Sequence, residues 1–310
     1  MKYCYGPVPS RRLGKSLGVD LLPSKTCNYQ CIYCQLGKTT HYTNTRMDFF
    51  PQDEIMEEMK TAINLHEKNT DYVTFVGSGE PTLYKNLEVL ISSAKSMTNK
   101  PICVITNGSL LHDKNVKKAL MLADAVLPSL DAGNQKNFIK INRPHPTLTF
   151  KDIIQGFIDF RYEFEGNFWI EVMLMKGIND NKKELKKIKE KIDWINPDRI
   201  DINVPIRPPT ESWVEIPEKK DLIPKLEEVF SDYYDMNYPE FGDFDLYSSN
   251  FKKELLAIIE RHPMRQDQII ETFSSPCFKE IDVLKNLEIL ESQFKIKKWV
   301  YNNNIFWKLY

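Results

Sequence analysis

No stretch of this chain reaches the roughly 18 consecutive apolar residues that a membrane-spanning helix needs. The opening Met-Lys-Tyr-Cys-Tyr-Gly-Pro also lacks the apolar stretch of a secretory signal. These absences argue against a membrane span and make a cytoplasmic protein the expectation. Charge of one sign is missing as well: 42 Lys and Arg against 43 Asp and Glu leave a formal net charge of −1, so the chain has no overall basic field to draw it onto nucleic acid. Cysteine is scarce, with six residues of which three sit in one motif, a usage that fits reduced thiolates rather than disulfides. What remains is 310 residues, 42% hydrophobic and 27% charged. That composition is globular, neither disordered nor fibrous, and long enough for one large core and one small one.

The motif is Cys27-Asn-Tyr-Gln-Cys31-Ile-Tyr-Cys34. Three thiolates at this spacing can hold three irons of a [4Fe–4S] cubane and leave the fourth iron without a protein ligand, whereas structural clusters usually take four Cys. The competing reading is structural zinc on Cys27, Cys31, Cys34 and His41. Zinc knuckles, however, bring ligands in two separated pairs, and here one compact triplet follows a predicted strand.

At these residues the chain resembles the radical S-adenosylmethionine (SAM) superfamily, in which the amino acid end of SAM chelates the open iron. The resemblance implies that Tyr33 lies beside the adenine. It implies that the backbone of Gly77-Ser78-Gly79-Glu80-Pro81-Thr82 meets the SAM amino group, with Glu80 offering a carboxylate to the ammonium. Thr106-Asn107-Gly108 and Ser129-Leu130-Asp131 look like further SAM-contacting segments, and Asn179 like a ribose contact. Each has a plainer reading as a turn or helix cap. Arg11, Arg12, Lys15 and Lys25 crowd the cluster loop, where cations suit a SAM carboxylate or a substrate phosphate. Gly6-Pro-Val-Pro-Ser-Arg-Arg-Leu-Gly14, Gly-Val-Asp20 and Cys-Gln-Leu-Gly37 make the first 210 or so residues similar to a branch related to the wyosine tRNA-base synthases. Those enzymes carry a second cluster, for which the remaining Cys4, Cys103 and Cys277 are too scattered.

Apolar runs alternate with helix-period stretches, as in βα units around a parallel sheet. Strands are predicted at Leu17 to Leu22, Tyr72 to Val76, Ile102 to Thr106, Ala125 to Ser129, Trp169 to Met175 and Arg199 to Val204. Helices follow near Gln52 to Leu65, Asn86 to Ser96, Asp113 to Leu122, Phe150 to Phe160, Lys182 to Trp194 and Lys219 to Phe230. Six units fall short of the eight of a full barrel, so the expected fold is α/β, a partial (β/α)6 TIM-like barrel. Its site should lie at the C-terminal strand ends. Asn142-Arg143-Pro144-His145-Pro146 and Pro205-Ile206-Arg207-Pro208-Pro209 are expected to rim the substrate cavity.

The barrel should occupy residues 1–231, an acidic linker or lid 232–248, and a small domain 249–310. Lys252 to His262, Arg265 to Phe273 and Phe278 to Leu290 carry helical stripes. Ile296 to Tyr301 and Ile305 to Leu309 read as a hairpin around Asn302-Asn303-Asn304. Three helices and a β-wing suggest a winged helix-turn-helix. Its near-balanced charge points to protein or peptide docking, or a clamp on the barrel mouth, rather than to DNA. Removing residues from Asn250 onwards is expected to spare the cluster and uncoupled SAM cleavage.

The function implied is reductive cleavage of SAM to methionine and a 5′-deoxyadenosyl radical that abstracts hydrogen from an RNA base, peptide or small molecule. The expected partners are a low-potential electron donor of flavodoxin or ferredoxin type and a substrate that is a peptide or protein ahead of RNA, with no membrane. No residue is assigned a catalytic role. The alternatives are a cluster-based redox sensor that binds DNA and a zinc-stabilised adaptor without catalysis.

Overall fold

The computed structural model describes residues 1–238 and 244–310, so residues 239–243 of the expected linker lie outside the described residues. The N-terminal strand β1 (Cys4–Ser10) runs antiparallel to β2 (Gly14–Val19). The cluster loop follows, bracketed by the two-residue strands β3 (Thr26–Cys27) and β4 (His41–Tyr42), which pair in parallel. The repeating part is α1 (Gln52–His66), β5 (Tyr72–Phe75), α2 (Leu87–Met97), β6 (Ile102–Thr106), α3 (Lys114–Leu120), β7 (Ala125–Pro128), α4 (Gln135–Asn142), α5 (Phe150–Glu163), β8 (Asn167–Met173), α6 (Lys182–Ile195), β9 (Arg199–Asn203), α7 (Lys219–Val229) and β10 (Tyr234–Asp235).

One sheet takes the order β1-β2-β5-β6-β7-β8-β9-β10, parallel from β2 onwards. One face of its strands, the face turned to the helices, is continuously apolar, while the other carries Ser16, Thr74, Glu171, Asp201 and Asn203. Leu17, Val19, Phe75, Val104, Val126, Ile170 and Val172 are all fully enclosed. The helices face the sheet through periodic stripes. In α6, Leu185, Ile188, Ile192 and Ile195 are buried, the Asn181 side chain accepts from the N–H of Glu184, and left-handed Asn196 ends the helix.

The six expected βα units are present, with boundaries that shift by up to three residues. Three elements depart from expectation. β1 adds an antiparallel edge, β10 adds a short parallel one inside the segment read as a linker, and α4 precedes the segment 142–146, which therefore follows a helix and not a strand. Among the described residues no helix is long and apolar enough to cross a membrane.

Beyond residue 250 lie α8 (Phe251–Ile259), β11 (Met264–Arg265), α9 (Gln266–Phe273), α10 (Glu280–Ser292), β12 (Ile296–Tyr301) and β13 (Asn304–Leu309). The last two form a hairpin, and β11 joins its other edge to make the order β11-β13-β12. The turn is left-handed at Asn302 and Asn303, a conformation asparagine tolerates better than most residues.

This C-terminal unit packs directly on the first strand of the barrel, so its removal bears on the stability of the part expected to keep the cluster. Its core includes Leu255, Ile258, Ile269, Leu287 and Trp307, but also Tyr5 and Val8 of β1. Arg261 Nε pairs with Asp20 at 2.8 Å, with side-chain exposures of 8% and 2%. The same guanidinium donates to the carbonyl of Lys2. Losing one partner of a buried pair leaves an uncompensated charge and costs about 3–5 kcal/mol. Arg261→Ala should therefore lower the unfolding free energy by about that amount, read from the denaturant midpoint at unchanged slope, and deletion from Asn250 should cost more by exposing Tyr5 and Val8. A truncated chain as stable as the full one would refute this.

Candidate functional site

The C-terminal ends of the strands surround a cavity of about 290 Å³. Cys27, Cys31 and Cys34 line it, together with Tyr33, Gly77, Gly79, Met173 and Arg207.

Main-chain bonds fix the cluster loop from two sides. On one side, the N–H of Lys25 donates to Ser78 O (2.7 Å) and the N–H of Glu80 to Thr26 O (3.1 Å). A Cβ on Gly79 would fall 1.8 Å from the Thr26 carbonyl oxygen, so this glycine is required by the packing of one main chain on another. On the other side, the N–H groups of Gln30 and Ile32 donate to Asn142 O and Ile141 O at the end of α4.

Each sulfur meets N–H donors. Cys27 Sγ accepts from the N–H of Tyr29 at 3.4 Å and faces Asn107 Nδ2 at 3.8 Å. Cys31 Sγ accepts from Asn142 Nδ2 at 3.6 Å, and Cys34 is faced by the N–H groups of Leu36 and Gly37. Burial pushes the Cys27 thiol up to about 12, with the Glu80 charge adding to it. Burial, then Asp131, holds Cys31 well above the ordinary thiol range, and burial also raises Cys34. Such thiols exchange their protons for a cationic centre rather than ionise alone.

A tetrahedral zinc site gathers its sulfurs at about 2.3 Å around one point. His41 Nδ1 is 3.5 Å from Thr26 Oγ1 and does not line the cavity that Cys27, Cys31 and Cys34 share. Three sulfurs on one cavity, each faced by N–H groups, are the donor set that a cluster with one open iron would use.

The remaining predicted residues divide. Tyr33, Gly77 and Gly79 line the cavity, and Asn107 stands at its edge beside Cys27. The Glu80 carboxylate, expected to meet an ammonium, is engaged by its neighbours in the fold. It is buried and accepts from Thr106 Oγ1 (2.6 Å), from the N–H of Asn107 (2.6 Å) and from the N–H of Thr82 (3.0 Å). Burial raises its pKa while these bonds oppose the rise. Pro81 is buried and opens a single 3₁₀ turn, the plainer of its two readings. Ser129 bridges to Glu171 across β7 and β8.

Asp131 accepts from Tyr33 Oη (2.6 Å), Asn142 Nδ2 (2.7 Å) and the N–H of Met173 (2.9 Å). It thus fixes the ring of Tyr33 from behind, and burial pushes its carboxyl up to about 6. Asn179 is fully buried, donates to the carbonyls of Asp131 and Met173 and accepts from the N–H of Met175. The ribose contact expected of it is therefore corrected to a brace between two loops. Asp180 accepts from the N–H of Gly177, and the cap of α6 falls to Asn181.

Of the two rim segments, Pro205, Ile206 and Arg207 line the cavity. Residues 143–146 instead border a separate groove, with Arg143 paired to Glu211, while Asn142 turns its side chain to Cys31 and Asp131. Arg11, Arg12 and Lys25 do line the cavity, and Arg12 pairs with Glu171 while Arg11 donates to Asn203 Oδ1 at 2.9 Å. Lys15 lies elsewhere, paired with Asp245. Sequence reasoning missed Asn28, and it named Asn142 as a rim residue without foreseeing its contact with Cys31. Asn28 accepts from Asn107 Nδ2 (2.7 Å) and donates to Ser109 Oγ (2.7 Å). The only hint was an asparagine inside the cysteine motif.

Comparison with known proteins places these features. A profile described as "Radical SAM superfamily" matches residues 21–189. The chain is 48% identical over 201 residues to a protein named GTPase Obg of Brachyspira hyodysenteriae, which is 65% of this chain but 29% of that protein. It is 33% identical over 313 residues to UPF0026 protein MJ1312 of Methanocaldococcus jannaschii, covering 99% of this chain and 96% of the relative. Among solved structures, that of TYW1 with a lysine-pyruvate adduct bound shares the fold, with a TM-score of 0.52 at 16% identity over 70% of this chain and 74% of the other.

The crowding at residue 79 makes a direct test. Gly79→Ala should lower the melting temperature and prevent the protein from acquiring iron–sulfur absorbance although all three cysteines remain, as measured by iron content after anaerobic reconstitution. Wild-type iron loading in this variant would show that the loop tolerates displacement from Thr26.

Proposed function

This chain belongs to the radical SAM superfamily, enzymes that use a [4Fe–4S] cluster and SAM, and from that premise we propose that Cys27, Cys31 and Cys34 hold the cluster while the adjoining cavity takes SAM. The observation that carries the reading is that the three cysteines and the loop Gly77-Ser78-Gly79 line one cavity at the strand ends. When bound, the cluster supplies an electron that cleaves SAM to methionine and a 5′-deoxyadenosyl radical able to abstract hydrogen from a substrate.

The protein's own contribution is position and shelter. Tyr33 presents its ring to the cavity with its hydroxyl locked on Asp131, suited to stack on adenine. Glycines 77 and 79 let main chain approach the SAM amino group, and Glu80 holds that loop against β6 without touching the ligand. Arg11 and Arg12 give the wall positive charge, partly offset by Glu171. Enclosure by the strand ends and the 205–207 segment keeps water from a reactive intermediate.

The C-terminal unit is best read as a winged helix that clamps the barrel mouth. Supporting this, Tyr301 Oη donates to Pro205 O at 2.9 Å and Arg207 Nη2 lies 2.9 Å from His262 Nε2. A reductant of flavodoxin or ferredoxin type completes the proposal.

Anaerobically reconstituted protein should bind close to one [4Fe–4S] cluster, and Cys27→Ala, Cys31→Ala or Cys34→Ala should each abolish it. Reduced with dithionite and given SAM, the wild type should slowly release 5′-deoxyadenosine, and Asn107→Ala should slow that release at unchanged iron content. Stoichiometric zinc without iron–sulfur absorbance would overturn the reading. An intact, reducible cluster that never cleaves SAM would favour the redox-sensor alternative.

A further inference from the structure

A second cleft, about 300 Å³, lies on the seam between the cluster loop and the C-terminal hairpin. It shares Lys25, Gln35 and Leu36 with the central cavity. Three lysines line it: Lys25 from the loop, Lys297 from β12 and Lys308 from β13. The hairpin register sets Lys297 directly opposite Lys308, an arrangement that is destabilising for like charges. The strand period puts Lys297, Trp299 and Tyr301 on one face. Because Tyr301 is bonded to Pro205 of the barrel, that face is turned inward.

All three lysines are half-buried. Among the described residues none has a carboxylate at ion-pairing distance. Glu260, the acidic side chain of the cleft, is instead turned to Arg261.

The loop is built around the first of these cations. Lys25 holds a left-handed backbone, φ 60°, which is uncommon for a non-glycine residue and typical of functional sites. Gly37, left-handed at φ 86°, brings the loop close to Lys25, whose Nζ would lie 2.8 Å from a Cβ placed there. Lys308 sits over the Trp299 ring at 3.6 Å, and burial, then Lys297 and Lys25, push its pKa down to about 8. Three converging cations, of which Lys25 faces Cys34 and none is paired to a carboxylate, make a site for an external polyanion.

We propose that the cleft formed by Lys25, Lys297 and Lys308 binds the phosphate group of a small-molecule substrate, whose remainder passes Gln35 and Leu36 into the central cavity. The cleft and cavity volumes are those of small-molecule sites rather than of a nucleic acid groove. Naming the anion as part of the substrate rests on the radical SAM reading; anion binding itself does not.

The test is titration calorimetry of the full-length reconstituted protein with inorganic pyrophosphate, at constant ionic strength and without SAM or reductant, so its outcome is independent of cleavage. One-to-one binding is expected, weakened at least tenfold by Lys297→Gln or Lys308→Gln. Lys297→Arg should retain it, and Lys298→Gln, exposed outside the cleft, should bind as the wild type does. In the absence of anion, Lys308→Gln should melt higher than wild type at pH 7. That advantage should be lost as pH rises through about 8 towards the ordinary lysine range, because there the unfolded chain binds the extra proton. Undiminished pyrophosphate binding in both Gln variants would overturn the proposal. So would displacement of pyrophosphate by single-stranded RNA at far lower concentrations, which would make the ligand a nucleic acid.

Discussion

The buried carboxylate of Asp20 ties together three parts of this molecule that are far apart in the chain. It stands at the end of β2, accepts from the N–H and hydroxyl of Ser78, and meets Arg261 from the last sixty residues of the chain. A charge taken out of water must be matched on every side. The start of the barrel, the loop after β5 and the C-terminal unit are therefore tied to one point. The same carboxylate dictates a glycine, because a Cβ at Gly77 would fall 2.1 Å from Asp20 Cγ.

Two other buried carboxylates extend this logic around the cavity. Glu80 locks the β5 loop to β6, and Asp131 locks Tyr33, the end of α4 and β8. The cavity itself is faced by sulfur, main chain, aromatic rings and charged groups, among them Arg11, Arg12, Lys25 and Glu171. Three carboxylates that brace the loops, Asp20, Glu80 and Asp131, stand one layer back from it.

The barrel was legible in the sequence because each parallel strand is a short apolar run between turn residues, a pattern that position in the chain does not blur. The cysteine triplet and the glycine loop were legible for the same reason, being contiguous. β1 was not, since Gly6-Pro-Val-Pro disguises a strand whose partner is only a few residues away. Roles that depend on contacts across the fold were hidden as well. Glu80 and Asn179 stand where a ligand contact is expected, yet their partners lie 26 and 48 residues away in Thr106 and Asp131. The inward turn of Lys297 and Lys308 follows from the anchoring of Tyr301 on Pro205, which no local pattern announces.

The antiparallel β1 has a consequence for how the protein is made. Tyr5 and Val8 are synthesised well before the side chains that cover them, from Phe244 to Trp307. Until those arrive the barrel carries an uncovered apolar edge strand, the kind that pairs with the wrong neighbour. The tie between Asp20 and Arg261 forms equally late.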